Sequence, residues 1–94
     1  MLLDLRLENK QLYNGCEIKE VGGRLSLMTK PEEAVSIIGK NAIKIIEGED
    51  RNKITLTGPM AVWTYMVVFH IVVHKFSQVW YDDGRGNIVQ ISQH

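Results

Sequence analysis

A chain of 94 residues is enough for one compact domain and too short for two. With 45% hydrophobic and 23% charged residues it has the balance of a folded globular protein, which excludes a disordered segment. Eleven basic and eleven acidic residues cancel, so no global field draws in DNA, a long RNA or an anionic membrane, and any nucleic-acid ligand must be held by a local pocket.

Leu3, Leu5 and Leu7 alternate with Asp4, Arg6 and Glu8, the period of a half-buried strand. Asn14-Gly15 is a strong turn dipeptide, and the alternation that follows it predicts a hairpin within Gln11 to Val21. Gly22-Gly23 breaks the chain before a short strand from Leu25 to Met28, and Lys10 to Gly23 reads as a peripheral addition. Thr29 as a cap, Pro31 in the first turn and Glu32-Glu33 at the positive end of the dipole begin a helix. Its apolar positions, Ala34, Ile37, Ile38, Ala42, Ile45 and Ile46, carry it over 31–47, with Gly39-Lys40-Asn41 as its weak point. A strand from Lys53 to Leu56 ends at Gly58-Pro59.

From Met60 to Val73 apolar side chains occupy nearly every angular position, which predicts a helix buried on several sides. Extended to Phe76, the segment is shorter than the roughly 20 residues a bilayer requires and carries His70, His74 and Lys75, so no membrane span is expected. A strand from Val79 to Tyr81, a turn over Asp82 to Asn87 and a strand from Ile88 to Ser92 complete the chain. The order of elements predicts a small layered α/β or α+β domain. Cys16 has no partner for an internal disulfide, and the first residues lack a basic leader followed by an apolar run. Both fit a cytoplasmic protein.

All three histidines fall in the last quarter of the chain, beside Asp82 and Asp83. His70 and His74, four apart on a helix, share a face and can grip a metal or a phosphate together, or simply satisfy core or interface partners. Ile71 stands where a zinc-protease motif would need glutamate. Asp82-Asp83-Gly84-Arg85-Gly86 is a charged turn in which Arg85 offers a planar fork to phosphate. Convergence of the helix end with the strand and turn that follow would bring His74 and Asp83 to one site. Gly58-Pro59 opens a helix whose N-H groups can receive an anion, or is only a helix start. Trp63 and Tyr65 are candidates to stack on adenine, or are core and interface residues.

Gly58-Pro59 before an aromatic-containing helix, histidines at its far end, Val79-Trp80-Tyr81 leading into an Asp-x-Arg turn, and a final strand with Gln90 and Ser92 before His94 form an ordered set. In this set the chain resembles the Csx-three family, small accessory proteins of type III CRISPR systems also described as ring nuclease three. The resemblance covers residues 53–94 well and the first half in outline. It implies a Rossmann-like (CARF-related) or ferredoxin-like single domain that forms homodimers. It also implies manganese-dependent nuclease activity, directed at RNA 3′ ends and at the cyclic tetra-adenylate messenger, with dimers that sandwich the ring. Carried over by position, it puts the family's functional histidine on His74, its turn aspartate and arginine on Asp83 and Arg85, and its late histidine on His94, so that His74, Asp83 and His94 are the catalytic candidates and Arg85 a phosphate ligand. Gly58, Pro59 and Ser92 are further ligand candidates, and Asp83, His74 and His70 are the candidate metal donors. The family turn usually reads Asp-Pro-Arg, whereas this chain has Asp83-Gly84-Arg85, and glycine makes that turn less rigid.

Overall fold

A computed structural model describes residues 1–93, so His94 lies outside the described residues. Six strands and two helices follow in the order β1 (Leu2–Asp4), β2 (Ile18–Val21), β3 (Arg24–Leu27), α1 (Pro31–Ile46), β4 (Lys53–Thr57), α2 (Val62–Val72), β5 (Gln78–Asp82) and β6 (Ile88–Gln93). The main sheet runs β1-β4-β5-β6, parallel across the first three strands and antiparallel at β6. β2 and β3 form a separate antiparallel pair.

Parallel neighbours need a crossover, and α1 and α2 supply the two that link β1 to β4 and β4 to β5. The helices pack on each other, since a Cβ built on Gly39 would lie 3.5 Å from Ile71 Cδ1 and 3.9 Å from Val67 Cγ1. The glycine that looked like a weak point is where the helices approach. Asn41, two residues on, donates from Nδ2 to the carbonyls of Leu12 and Asn14, each at 2.8 Å. Helix α1 therefore runs through both residues unbroken.

Alternate strand residues, Leu3 with Ile54, Leu56 and Val79, are buried against the helices together with Ala34, Ile38, Ala42, Val68 and Val72. The opposite sheet face carries rows read from the register: Leu2, Thr55, Trp80 and Gln90 in one, Asp4, Thr57, Asp82 and Ile88 in the next. There the Lys53 ammonium sits 4.6 Å above the Trp80 ring, and Trp80 Nε1 donates to Gln78 Oε1 at 2.9 Å.

Several expectations change. The first strand ends at Asp4, although Leu5 N-H still donates to Thr57 O at 2.7 Å. The hairpin does not lie in Gln11–Val21: β2 and β3 turn at Gly22-Gly23, whose φ values of 58° and 80° suit the tight two-residue turn of a twisted hairpin. Asn14-Gly15 instead ends a compact series of turns over residues 6–16, in which Asn9 Oδ1 accepts from Leu12 N-H at 3.2 Å. Leu12 and Tyr13 are core residues, so only the β2–β3 part of the presumed addition is peripheral. Thr29 is not the cap of α1. Its Oγ1 accepts from Glu17 N-H at 2.7 Å, and Lys30 stands at the N-cap without a side-chain bond.

Helix α2 is less enclosed than its composition predicts. Thr64, Val68 and Val72 form its buried stripe, while Val62 and Met66 are 70% and 65% exposed. Among the described residues no helix is long and apolar enough to cross a membrane.

Candidate functional site

The candidate residues divide between the two ends of the parallel strands. At the amino end α2 finishes, and the turn 73–75 leads into β5. There the His70 and His74 rings meet edge to face, centroids 5.4 Å apart and planes at 89°. His74 lines a shallow pocket of about 360 Å³ with Arg51, Lys75 and Ser77. Ser77 N-H donates to Arg51 O at 2.9 Å, which ties the start of β5 to the segment entering β4. Among the described residues no carboxylate lines this pocket, and its three basic side chains suit a phosphate. Ser92 belongs to this end as well, paired with Val79 near the start of β5. The proposed late histidine, His94, lies outside the described residues.

At the carboxyl end, β1, β4 and β5 finish side by side at Asp4, Thr57 and Asp82, which are register partners. Open parallel sheets bind ligands at this edge. Gly58 follows with φ 103°, and a Cβ on it would lie 3.0 Å from Arg6 N, 3.2 Å from Leu5 N and within contact of the Asp4 carboxylate. Asp4 Oδ1 accepts from Arg6 N-H at 3.0 Å, and Oδ2 pairs with Arg6 Nε at 2.8 Å. Glycine here is a packing requirement between β1 and β4, beyond any helix-start role for Gly58-Pro59.

The Asp83 turn is held by its own carboxylates. Asp82 Oδ1 accepts from Gly84 N-H at 2.8 Å. Asp83 Oδ1 accepts from the N-H groups of Arg85 at 2.7 Å and Asn87 at 3.2 Å, and its Oδ2 from Asn87 Nδ2 at 2.9 Å. The Asn87 side chain, followed by the backbone N-H of Arg85, holds the Asp83 carboxyl below the usual carboxylate range. These bonds order the turn in spite of Gly84, and they leave the exposed guanidinium of Arg85 without an ion pair among the described residues.

Within one chain His74 and Asp83 do not converge. They flank β5 at opposite ends, and five extended residues span about 16 Å. The expectation that helix end and turn meet fails because a parallel crossover returns the chain to the amino edge before β5 crosses the sheet. Among the described residues no group of three His, Cys, Asp or Glu side chains is placed to hold a metal ion. The set His70, His74 and Asp83 therefore does not fit a manganese ion in one chain.

A third feature, an apolar cleft of about 430 Å³, opens between α2 and β5–β6, lined among others by Met60, Tyr65, Met66, Phe69, Tyr81 and Ile91, with Gly58-Pro59 at its rim. Tyr65 meets Tyr81 edge to face at 5.4 Å, and its hydroxyl donates to Gly58 O. Burial, then the neighbouring Tyr81, pushes the Tyr65 phenol up to about 12. Trp63 does not line this cleft and packs instead against the core. Sequence reasoning missed Arg51 beside His74 and the Asp4–Arg6 pair beside Gly58. Arg51 lies just before β4 and Arg6 just after β1, both far in sequence from their neighbours, and only the parallel pairing of β4 with β5 and of β1 with β4 would have revealed them.

The chain matches no protein-family model, and no curated protein or solved structure is significantly similar to it.

Proposed function

We propose that this chain is a phosphodiester-cleaving accessory protein of the Csx-three kind, acting on cyclic tetra-adenylate or on the 3′ end of a short RNA in type III CRISPR defence. One observation carries the reading: each chain presents two complementary half-sites, a basic pocket with His74, Arg51 and Lys75 at one edge and the Asp83-braced Arg85 at the other. A phosphodiester held between the two edges of different copies meets both. Water attacks phosphorus and releases its proton to solvent while the P–O bond to a ribose oxygen breaks, and His74 gives that leaving oxygen a proton. Arg85 neutralises the charge growing on the phosphoryl oxygens. The carboxylate of Asp83 is occupied by its turn and acts by positioning Arg85. Adenine finds an apolar wall in the cleft beside Gly58-Pro59, where Tyr65 and Tyr81 present their rings. Three parallel strands with helical crossovers favour a Rossmann-like over a ferredoxin-like assignment, and the acting unit is a homodimer in the cytoplasm.

The test is product analysis of cyclic tetra-adenylate incubated with the protein, with and without manganese. Linear products are expected. His74→Ala and Asp83→Ala variants, each inactive alone, should partly restore activity when mixed; failure of the wild type to cleave under any of these conditions rejects the reading. Among the described residues of one chain no three-donor metal group forms, which favours a second reading, a sensor that captures the ligand without cleaving it. Unchanged ligand co-migrating with the protein identifies that case.

A further inference from the structure

A further cavity lies where the β2–β3 hairpin meets the carboxyl edge of the main sheet. It holds about 550 Å³, within the range of about 300–1,000 Å³ that serves small ligands. One wall comes from residues that follow β1 and β4, namely Arg6, Leu7, Glu8 and Pro59, beyond the carboxyl ends of parallel strands, where open sheets take their ligands. The other wall comes from the hairpin, with Glu20 before the Gly22-Gly23 turn and Arg24 and Leu25 after it. The first wall is braced: Asn9 Nδ2 donates to Asp4 O at 2.7 Å and Asn9 N-H to Arg6 O at 3.0 Å, while the Gly58 carbonyl ahead of Pro59 accepts from the Tyr65 hydroxyl.

The lining carries both signs of charge and an aliphatic part. Arg6 is already paired with Asp4 at 2.8 Å, whereas Arg24, Glu8 and Glu20 have no ion pair among the described residues. A simple anion would meet two carboxylates here, and a simple cation would meet guanidinium groups. A ligand that bears both charges close together satisfies both. We propose that this cavity binds a free α-amino acid with an apolar side chain. The planar guanidinium of Arg24 receives its carboxylate, Glu8 and Glu20 receive its ammonium, and its side chain lies against Leu7, Leu25 and Pro59. By touching both walls the ligand fastens the hairpin to the edge of the sheet. The site shares Pro59 with the apolar cleft but does not depend on the proposed cleavage of phosphodiesters.

Nuclear magnetic resonance titration of the wild type with L-leucine, L-isoleucine, L-methionine and L-phenylalanine should show saturable binding of at least one of them below about 10 mM. The amide of that amino acid lacks the carboxylate, and its N-acetyl derivative lacks the ammonium. Each should bind at least about tenfold more weakly, because a hydrogen bond between charged groups is lost. Arg24→Gln and the double variant E8Q/E20Q, checked for folding by circular dichroism, should weaken the parent amino acid by a similar factor. Hydrogen exchange keeps the proposal testable if a variant fails to fold: in the wild type, the bound amino acid should raise amide protection along β2 and β3 and leave that of β6 unchanged. Failure of all four amino acids to saturate the wild type overturns the proposal. So does a charge-blocked derivative that binds as well as its parent, a folded variant of unchanged affinity, or a hairpin whose exchange ignores the ligand. Binding that meets these tests while cyclic tetra-adenylate stays intact upholds the amino-acid site and rejects only the nuclease reading.

Discussion

Replacing Gly58 with alanine should be the most damaging small change in the main sheet. The residue sits at φ 103°, where a side chain costs about 1–2 kcal/mol. The added Cβ would also lie 3.0 Å from Arg6 N and 3.2 Å from Leu5 N, and this backbone cannot easily retreat, because Leu5 N-H is fixed to Thr57 O at 2.7 Å. The Asp4 carboxylate must swing away, losing its bond from Arg6 N-H, which is worth about 0.5–1.5 kcal/mol. Together with crowding of the two amides, the cost comes to about 3–4 kcal/mol. A domain of this length has a total stability of about 5–14 kcal/mol, so about a fifth or more is lost. Urea unfolding followed by the fluorescence of Trp63 and Trp80, with circular dichroism in parallel, measures the change. Adding Asp4→Ala to Gly58→Ala should remove the carboxylate clash, so the double variant should be less destabilised than the sum of its single changes. A Gly58→Ala protein within 1 kcal/mol of the wild type would refute the claimed close approach of β1 and β4.

Two other perturbations test the interior. Thr64 is fully buried and its hydroxyl has no partner among the described residues, so Thr64→Val should stabilise by about 1 kcal/mol, raising Tm by roughly 4–8 °C in a scanning calorimeter; a lower Tm would mean that the hydroxyl has a partner. The phenols of Tyr13 and Tyr65 are raised chiefly by burial, Tyr65 to about 12 and Tyr13 further, so the folded state keeps protons that the unfolded state loses from about pH 10 upward. Stability from these groups is complete below about pH 10 and falls as pH rises from there, through about 12 for Tyr65 and further for Tyr13. Denaturation midpoints across that range should decline steeply for the wild type and less steeply for Tyr13→Phe, and equal slopes would contradict the role given to burial.

Local pattern carried the elements it could encode. The apolar spacing from Ala34 to Ile46 defines α1, and the alternation of Ile54 and Leu56 defines β4, because each element buries one face of its own. Neighbour relations were less legible. Two turn signals competed in the first third, and Gly22-Gly23 made the hairpin while Asn14-Gly15 was fastened to α1 by a side chain 27 residues away. Leu12-Tyr13, an adjacent apolar pair with no period, gave no sign that both belong to the core. For the site, residue types were readable and their distribution was not. Closeness in sequence between His74 and Asp83 suggested closeness in space, but β5 stands between them.

The β2–β3 hairpin enters and leaves the body at one place. At its base Met28 N-H donates to Glu17 O at 2.8 Å and Glu17 N-H to Thr29 Oγ1 at 2.7 Å, so the chain departs and returns at a single stitched point. Beyond that stitch the hairpin forms its own ladder and lays only the half-buried Ile18 and Leu27, both next to its base, against the core. The hairpin is thus a detachable part in evolutionary terms: selection can lengthen it, trim it or exchange it for another appendage while the sheet behind it keeps its register.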